Sequence, residues 1–341
     1  MPSRPLSLAL LGATGLVGRA VLDALPDAAL ELAALRLLGS QRSAGSRVEV
    51  GDDEIAVEPV REGAFKGCDV AIFCAPPEVA RAWAPRARAD GCAVVDASSA
   101  FRTDPGVPLV VPGVNEAVLD GLGRAGLAAL PGGGAAALAV ALAPLHAAAR
   151  LEGLVVSILE PVSGAGARGL QQLEREATDL MNGREPDAAG AVAHRIAFNV
   201  VPQVGAFLPD GSTEAEEGLA AETRRVLAAP GLRLAVTALR APIFYGQVAS
   251  VHAITGRKVS AEEARTLLRH APGVKLLDAP GEGIYPMPML AVNDDAVRVG
   301  RIRVEPSEER GVALLVVSDA LRQRAACALR VAARLAGQPA A

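Results

Sequence analysis

Two segments near the N-terminus have the residue types to hold a phosphorylated cofactor. Gly12, Ala13, Thr14, Gly15, Leu16, Val17 and Gly18 form a GxxGxxG loop between the apolar run LSLALL at 6–11 and an amphipathic stretch, GLVGRAVLDAL. Such a loop needs glycine because the turn is tight, a pyrophosphate must reach bare backbone and the helix must pack closely on its strand. The N–H groups at the helix start then favour phosphate. A glycine-rich connection with no ligand has the same composition, so the next strand end carries the distinction. NAD-binding folds place an Asp or Glu there for the ribose 2′-OH, whereas this chain reads LLGSQRSAGSR, without an acid. Ser40, Arg42 and Ser43 offer a guanidinium and two hydroxyls, which suit charge-assisted bonds to a 2′-phosphate and hence NADP. The plain alternative for Arg42 is a solvated loop arginine.

Other reactive side chains are sparse. Cys68, Cys74, Cys92 and Cys327 show no CxxC or metal-ligand spacing, and four cysteines are too few for a disulfide framework in this chain. A reducing cytoplasm fits. Cys74 follows a strand whose end faces the cofactor crevice of a doubly wound fold, but no basic residue is near it in sequence, and a buried cysteine is more often a small hydrophobe. The other three sit in strand-edge or helical packing contexts. His252 lies five residues beyond Gln247 on one strand, an odd offset that puts the two on opposite faces. His146, on a helix after Pro144, and His194, ahead of a strand, read as core or surface residues. No Ser-His-Asp triad or metal constellation emerges. PGGG at 131–134 precedes the helical AAALAVALAPL; bare N–H groups there favour a carboxylate or phosphate, unless the glycines are only a flexible connection.

The elements that position these residues follow from hydrophobic patterning. LSLALL, ELAALRLLG, DVAIFCA and CAVVDAS read as strands, with helical stretches behind the first and third. Apolar strands alternating with helices indicate a parallel sheet covered on both faces. Beyond residue 131 longer strands appear, in LEGLVVSILEPVSG, LRLAVTALRAPIFYGQVASVHAIT and RVGRIRVEP, suggesting a mixed sheet with helices on one side. SDALRQRAACALRVAARLAG has helical periodicity from a cap at Ser318 or Asp319, and returns to the first domain; the tail GQPAA should fray. At 341 residues the chain exceeds what one core supports. The fold class is therefore α/β: an N-terminal Rossmann-like NADP-binding domain (1–130 plus 316–337) and a second, α+β domain (131–315) with a mixed sheet. A net charge of −4 and 3% aromatic residues argue against a nucleic-acid partner. The apolar run after Arg4 leads straight into the glycine loop, unlike a signal peptide, and no stretch is long enough for a membrane span.

GATGLVG and SQRSAG, followed in order by SSAFRTDPGVPLVVPGVN, PVSGAG, IAFNVVPQVG, AETRRV, RAPIFYG, VNDDAVRVGRIR and VVSDALR, resemble the blocks of aspartate-semialdehyde dehydrogenases over almost the whole chain. The resemblance implies NADP, a second domain (131–315) for catalysis and dimerisation, a homodimer, a role in amino-acid biosynthesis, and a mechanism in which a cysteine thiolate attacks the aldehyde, hydride passes to NADP and phosphate displaces the thioester. The family's Asn-Pro-Asn-Cys block reads Leu130-Pro131-Gly132-Gly133-Gly134 here, so the nucleophile position is Gly133. Its substrate-orienting glutamine becomes Glu160, its general-base histidine becomes Gln247, and an acid and a lysine that hold substrate and phosphate become Ala215 and Gly218. Arg102 matches a residue that binds phosphate or substrate, and Arg240 one that holds the substrate carboxylate.

No residue set for the covalent mechanism is intact. The expectation is an NADP-binding, catalytically inactive paralogue similar to the Usg-type group, dimeric and open to a small anionic ligand. The rivals are a working NADP-dependent aspartate-semialdehyde dehydrogenase and a reductase transferring hydride directly, with Glu160 as its acid or base. A scaffold that has also lost the cofactor is disfavoured by the glycine and Arg42 pattern.

Overall fold

The structure is a computed structural model and describes residues 4–28, 30–51, 53–187 and 190–338. The chain divides into two compact units, Met1–Pro131 with Leu321–Ala341, and Gly132–Ala320.

The first unit is built on a seven-stranded sheet. Its strands run in the order Arg47–Val50, Asp53–Pro59, Leu32–Gly39, Leu6–Leu11, Val70–Phe73, Ala93–Asp96 and Leu127–Ala129. All neighbours are parallel except the first pair. Leu8, Leu10, Val70 and Ile72 are fully buried and share one core with Val21 and Leu22 of the helix Leu16–Ala24 and with Ala325, Ala328 and Leu329 of the helix Ala320–Leu335. The chain moves to one side of Leu6–Leu11 for the next parallel strand, then crosses to Val70–Phe73 on the other. The carboxyl ends of those two strands flank the switch point where open α/β sheets bind ligands.

Three expectations change here. Strand–helix alternation breaks after Leu32–Gly39, because RVEV and DEIAVEP alternate charged and apolar residues and pair as an antiparallel edge. The returning helix begins at Ala320 and not at 316, since Gly311–Ser318 is a strand of the other unit. The tail is partly tied down: Gln338 is buried and its Nε2 donates to the carbonyls of Arg4 (2.9 Å) and Glu31 (3.1 Å), while 339–341 lie outside the described residues.

The second unit has a mixed six-stranded sheet, ordered Val274–Leu276, Val297–Val304, Gly311–Ser318, Gln247–Thr255, Leu151–Glu160 and Arg233–Arg240. The helix Gly133–Ala149 lies against it and is flanked by the helices Glu214–Val226 and Ala261–Arg269. That helix is buried from Gly134 through Leu142, which explains its alanines: a helix enclosed between a sheet and two helices has room only for small side chains. It continues through Pro144 to carry His146, whose Nδ1 accepts the Leu151 N–H. Gln247–Thr255 alternates strictly between buried and half-buried residues, and the less buried face of the sheet shows Val155, Ser157, Ala235 and Thr237 exposed. His194 precedes no strand. Residues 191–199 are irregular and held by the buried Glu176, whose Oε2 accepts the N–H groups of Ile196 (2.8 Å) and Ala197 (3.0 Å).

Gly12 is the residue of the glycine loop with a left-handed backbone. It has φ +91°, and a Cβ there would lie 2.6 Å from the Cys74 carbonyl oxygen, whereas one on Gly15 meets nothing closer than 3.4 Å. Gly12→Ala should lower stability by about 2–4 kcal/mol and Gly15→Ala by about 1 kcal/mol or less. Chemical denaturation of the two variants checks this; equal losses would contradict the assignment of strain to Gly12.

Candidate functional site

In the first unit the residues expected to hold the cofactor gather at the carboxyl ends of adjacent strands. The Gly12 N–H donates to the Leu38 carbonyl (2.8 Å), which ties the glycine loop to the strand that ends in Gly39. Gly18 is required by contact, since a Cβ would stand 2.2 Å from the Gly12 oxygen. Gly15 is the N-cap of Leu16–Ala24 and supplies no side-chain cap, so the first-turn amides of Leu16, Val17 and Gly18 lack a helical acceptor. Thr14 completes the loop, and its carbonyl accepts from Arg19 Nε. At the neighbouring strand end Ser43 folds back, its N–H and Oγ both donating to the Ser40 carbonyl, and a side chain at Gly39 would collide with its Oγ at 2.6 Å. Arg42 is exposed and forms no hydrogen bond or ion pair among the described residues. A free guanidinium beside two hydroxyls, one strand from a bare helix N-terminus, fits the 2′-phosphate and pyrophosphate of a dinucleotide.

Cys74 sits at the same switch point. Burial pushes its thiol up to about 12, with Arg324 only partly opposing this, so it is not a thiolate near neutral pH. Cys68 and Cys92 are likewise raised by burial. Arg102 is half-buried and its Nε donates to the carbonyls of Ser98 (2.9 Å) and Leu130 (3.0 Å), which fixes it against its own unit. Asp96, which sequence reading passed over, is fully buried at the end of its strand; its Oδ1 accepts the N–H and Oγ–H of Ser98, and burial raises its carboxyl above the ordinary range.

In the second unit the expected positions meet at one end of the sheet. Gly133 opens the helix Gly133–Ala149; a Cβ on it would lie 3.6 Å from Gln247 Oε1 and 2.5 Å from the Ala320 methyl. The two positions that the resemblance assigns to nucleophile and base are therefore neighbours. Gln247 is buried and its Nε2 donates to Ser318 Oγ (2.8 Å), its register partner across the sheet. An amide so held neither takes nor releases a proton. Beside the helix start the Gly132 N–H donates to Glu222 Oε2 at 2.5 Å, so a carboxylate of the chain itself lies at the N-cap. Glu222 stands on Glu214–Val226, which a capping box between Thr213 and Glu216 begins and a bond from the Ala238 N–H to Glu216 Oε1 ties to the sheet. Gly218 lies one turn before it, with its Cβ position 3.7 Å from Glu222 Oε1, and Ala215 is on the same helix.

Glu160 and Arg240 are register partners at the carboxyl ends of two parallel strands. They form an ion pair, Nη1 to Oε2, at 3.2 Å, and Nη1 also donates to the Pro161 carbonyl at 2.6 Å. Arg240 is only 6% exposed, and burial lowers its pKa from the ordinary value while Glu160 opposes that shift. Gly164 must be bare, because a Cβ would come within 2.5 Å of Nη1. His252, on the opposite face from Gln247, pairs with Glu305.

The sequence did not announce Glu222, Ser318, Ala320 or the Glu160–Arg240 pairing, because each depends on strand register or helix crossing. Among the described residues no group of three His, Cys, Asp or Glu side chains is arranged to hold a metal, and no helix is long and apolar enough to cross a membrane.

Comparison with known proteins matches residues 7–122 to the NAD binding domain of semialdehyde dehydrogenase and 142–323 to its dimerisation domain. The aspartate-semialdehyde dehydrogenases of Aquifex aeolicus and Bacillus subtilis are each 38% identical, over 94% of both chains and 95% of both chains respectively. The crystal structure of aspartate semialdehyde dehydrogenase II from Vibrio cholerae complexed with ASA superposes with TM-score 0.93 at 32% identity, covering 98% of each chain. The Candida albicans enzyme, solved with NADP, shares the fold at TM-score 0.76 and 21% identity. With both domains matched in order and identity above 30% along nearly its full length, the chain belongs to the aspartate-semialdehyde dehydrogenase family.

Proposed function

We propose that this member of the family binds NADP and acts as a binding protein, without the covalent dehydrogenase chemistry, in the manner of its Usg-type paralogues. The observation that carries the reading is that Gly133 and Gln247 stand side by side, a bare Cα and an amide where a thiol and a proton acceptor are needed. Cys74, the one thiol at the switch point, is held protonated by burial and does not substitute. Direct hydride transfer would need an acid or base at the carbonyl, and Glu160 is engaged with Arg240. Cytoplasmic residence suits four free cysteines. Nucleic acid is not a partner in this reading.

Specificity for NADP rests on Arg42, Ser40 and Ser43. Arg42→Ala should weaken NADP binding by roughly 10–100-fold and leave NAD unchanged, as expected for a lost charge-assisted phosphate contact. Calorimetric titration with both nucleotides measures this; equal weakening of both would remove the 2′-phosphate role.

We further infer a homodimer formed through the open face of the second sheet. Val155 is 50% exposed there, opposite His252 and Ala235, in a domain of the dimerisation type. Sedimentation at micromolar concentration should show a dimer for the wild type and mostly monomer for Val155→Arg, because an unpaired charge buried at the centre of an interface costs several kcal/mol.

Catalytic competence is tested by following NADPH formation from aspartate semialdehyde and phosphate. The wild type should show no turnover, and Gly133→Cys alone should not restore it: loss of a covalent nucleophile costs on the order of 10⁶ in rate, and a thiol without a base recovers little. Gly133→Cys also drives a side chain toward Ala320, so it should lower stability by about 1–3 kcal/mol. Turnover by the wild type, abolished in Cys74→Ser, would overturn the non-catalytic reading.

A further inference from the structure

Arg240 is the most deeply buried cation at the candidate site of the second unit, and its surroundings differ from those of an arginine waiting for an anion. Its neutralising charge comes from the adjacent strand. Glu160 and Arg240 are opposite each other in a parallel register, so the backbone ladder brings their Cα atoms side by side and the two charged side chains meet. The bare Gly164 lets the guanidinium lie against backbone, and the Pro161 carbonyl fixes Nη1 from a further side.

Two consequences follow from electrostatics. The attraction that an incoming carboxylate would feel toward Arg240 is offset by a fixed carboxylate 3.2 Å from the guanidinium. The side chain of Glu160 remains 22% exposed, and its second oxygen has no hydrogen-bond partner among the described residues, so an acceptor is presented where a donor would otherwise be. The N-terminus of Gly133–Ala149 repeats the pattern, with Glu222 already on the Gly132 N–H. At this end of the sheet the chain's own carboxylates thus pair with the Arg240 guanidinium and with the Gly132 amide.

We propose that Glu160 determines the ligand specificity of this site, turning it away from carboxylates and toward small molecules that present an N–H donor, an amide or an ammonium, at that point. This rests on the reading that the second unit binds a ligand without transforming it. Succinate and succinamide, which share a skeleton, are suitable probes in calorimetric titrations of the NADP-loaded protein. The wild type should bind succinamide at least tenfold more tightly than succinate. Glu160→Gln removes the fixed charge and should strengthen succinate binding by at least tenfold, reversing the preference, whereas a merely structural role for Glu160 would weaken both probes together. Glu160→Asp keeps the charge and should retain the wild-type order. If Glu160→Gln fails to fold, the wild-type comparison still decides. Binding of succinate as tight as that of succinamide, or no binding of either probe, overturns the proposal. Turnover of aspartate semialdehyde would instead defeat the non-catalytic reading and leave the order of the two probes as a separate result.

Discussion

A guanidinium that is almost wholly enclosed keeps its charge and so needs acceptors in place of water, and around Arg240 this constraint shapes that end of the second sheet. Desolvating an arginine costs several kcal/mol unless a carboxylate and further acceptors replace water. Glu160 supplies the carboxylate and Pro161 the carbonyl, and Gly164 keeps the space empty for both. The parallel pairing of Leu151–Glu160 with Arg233–Arg240 puts the two charges in register. A glutamine at 160 would satisfy the geometry but not the charge, which is why one substitution on this strand changes what the site can accept.

The two units solve their close approaches in the same way, by removing side chains. Gly12 and Gly18 let a strand end, a loop and a helix converge within 3 Å of positions that a Cβ would need. In the second unit Gly133 and Gly134 do so at the start of the buried helix, where Ala320, Leu219 and Ile158 close in. In the first unit, bare backbone leaves amides open for phosphate. In the second, a carboxylate of the chain itself takes the Gly132 amide, so similar glycines mark a cofactor loop in one place and a carboxylate-bonded helix start in the other.

Much of this organisation could be read from sequence because it is local. The GxxGxxG loop, the acid-free LLGSQRSAGSR and the apolar strand runs each describe their own neighbourhood, and both sheets follow from them. The proximity of positions 133 and 247 was legible only through resemblance, since more than a hundred residues separate them. Glu222 on the Gly132 amide, Ser318 under Gln247 and the charge pair at 160 and 240 are products of register and helix crossing. The edge strands at 47–59 were missed because half their residues are charged, and the tail seemed free because a single glutamine holds it.

The returning helix has a consequence for how the protein is made. Ala325, Cys327, Ala328, Leu329, Val331 and Ala332 belong to the same core as Leu8, Leu10, Val70 and Ile72, yet they lie some three hundred residues later in the chain. On the ribosome the N-terminal sheet emerges with one side of its core unfilled and stays so while the whole second unit is synthesised. That second unit is continuous in sequence and can close by itself. Folding is thus expected to finish at the beginning of the chain, with the last-made helix completing the first-made sheet.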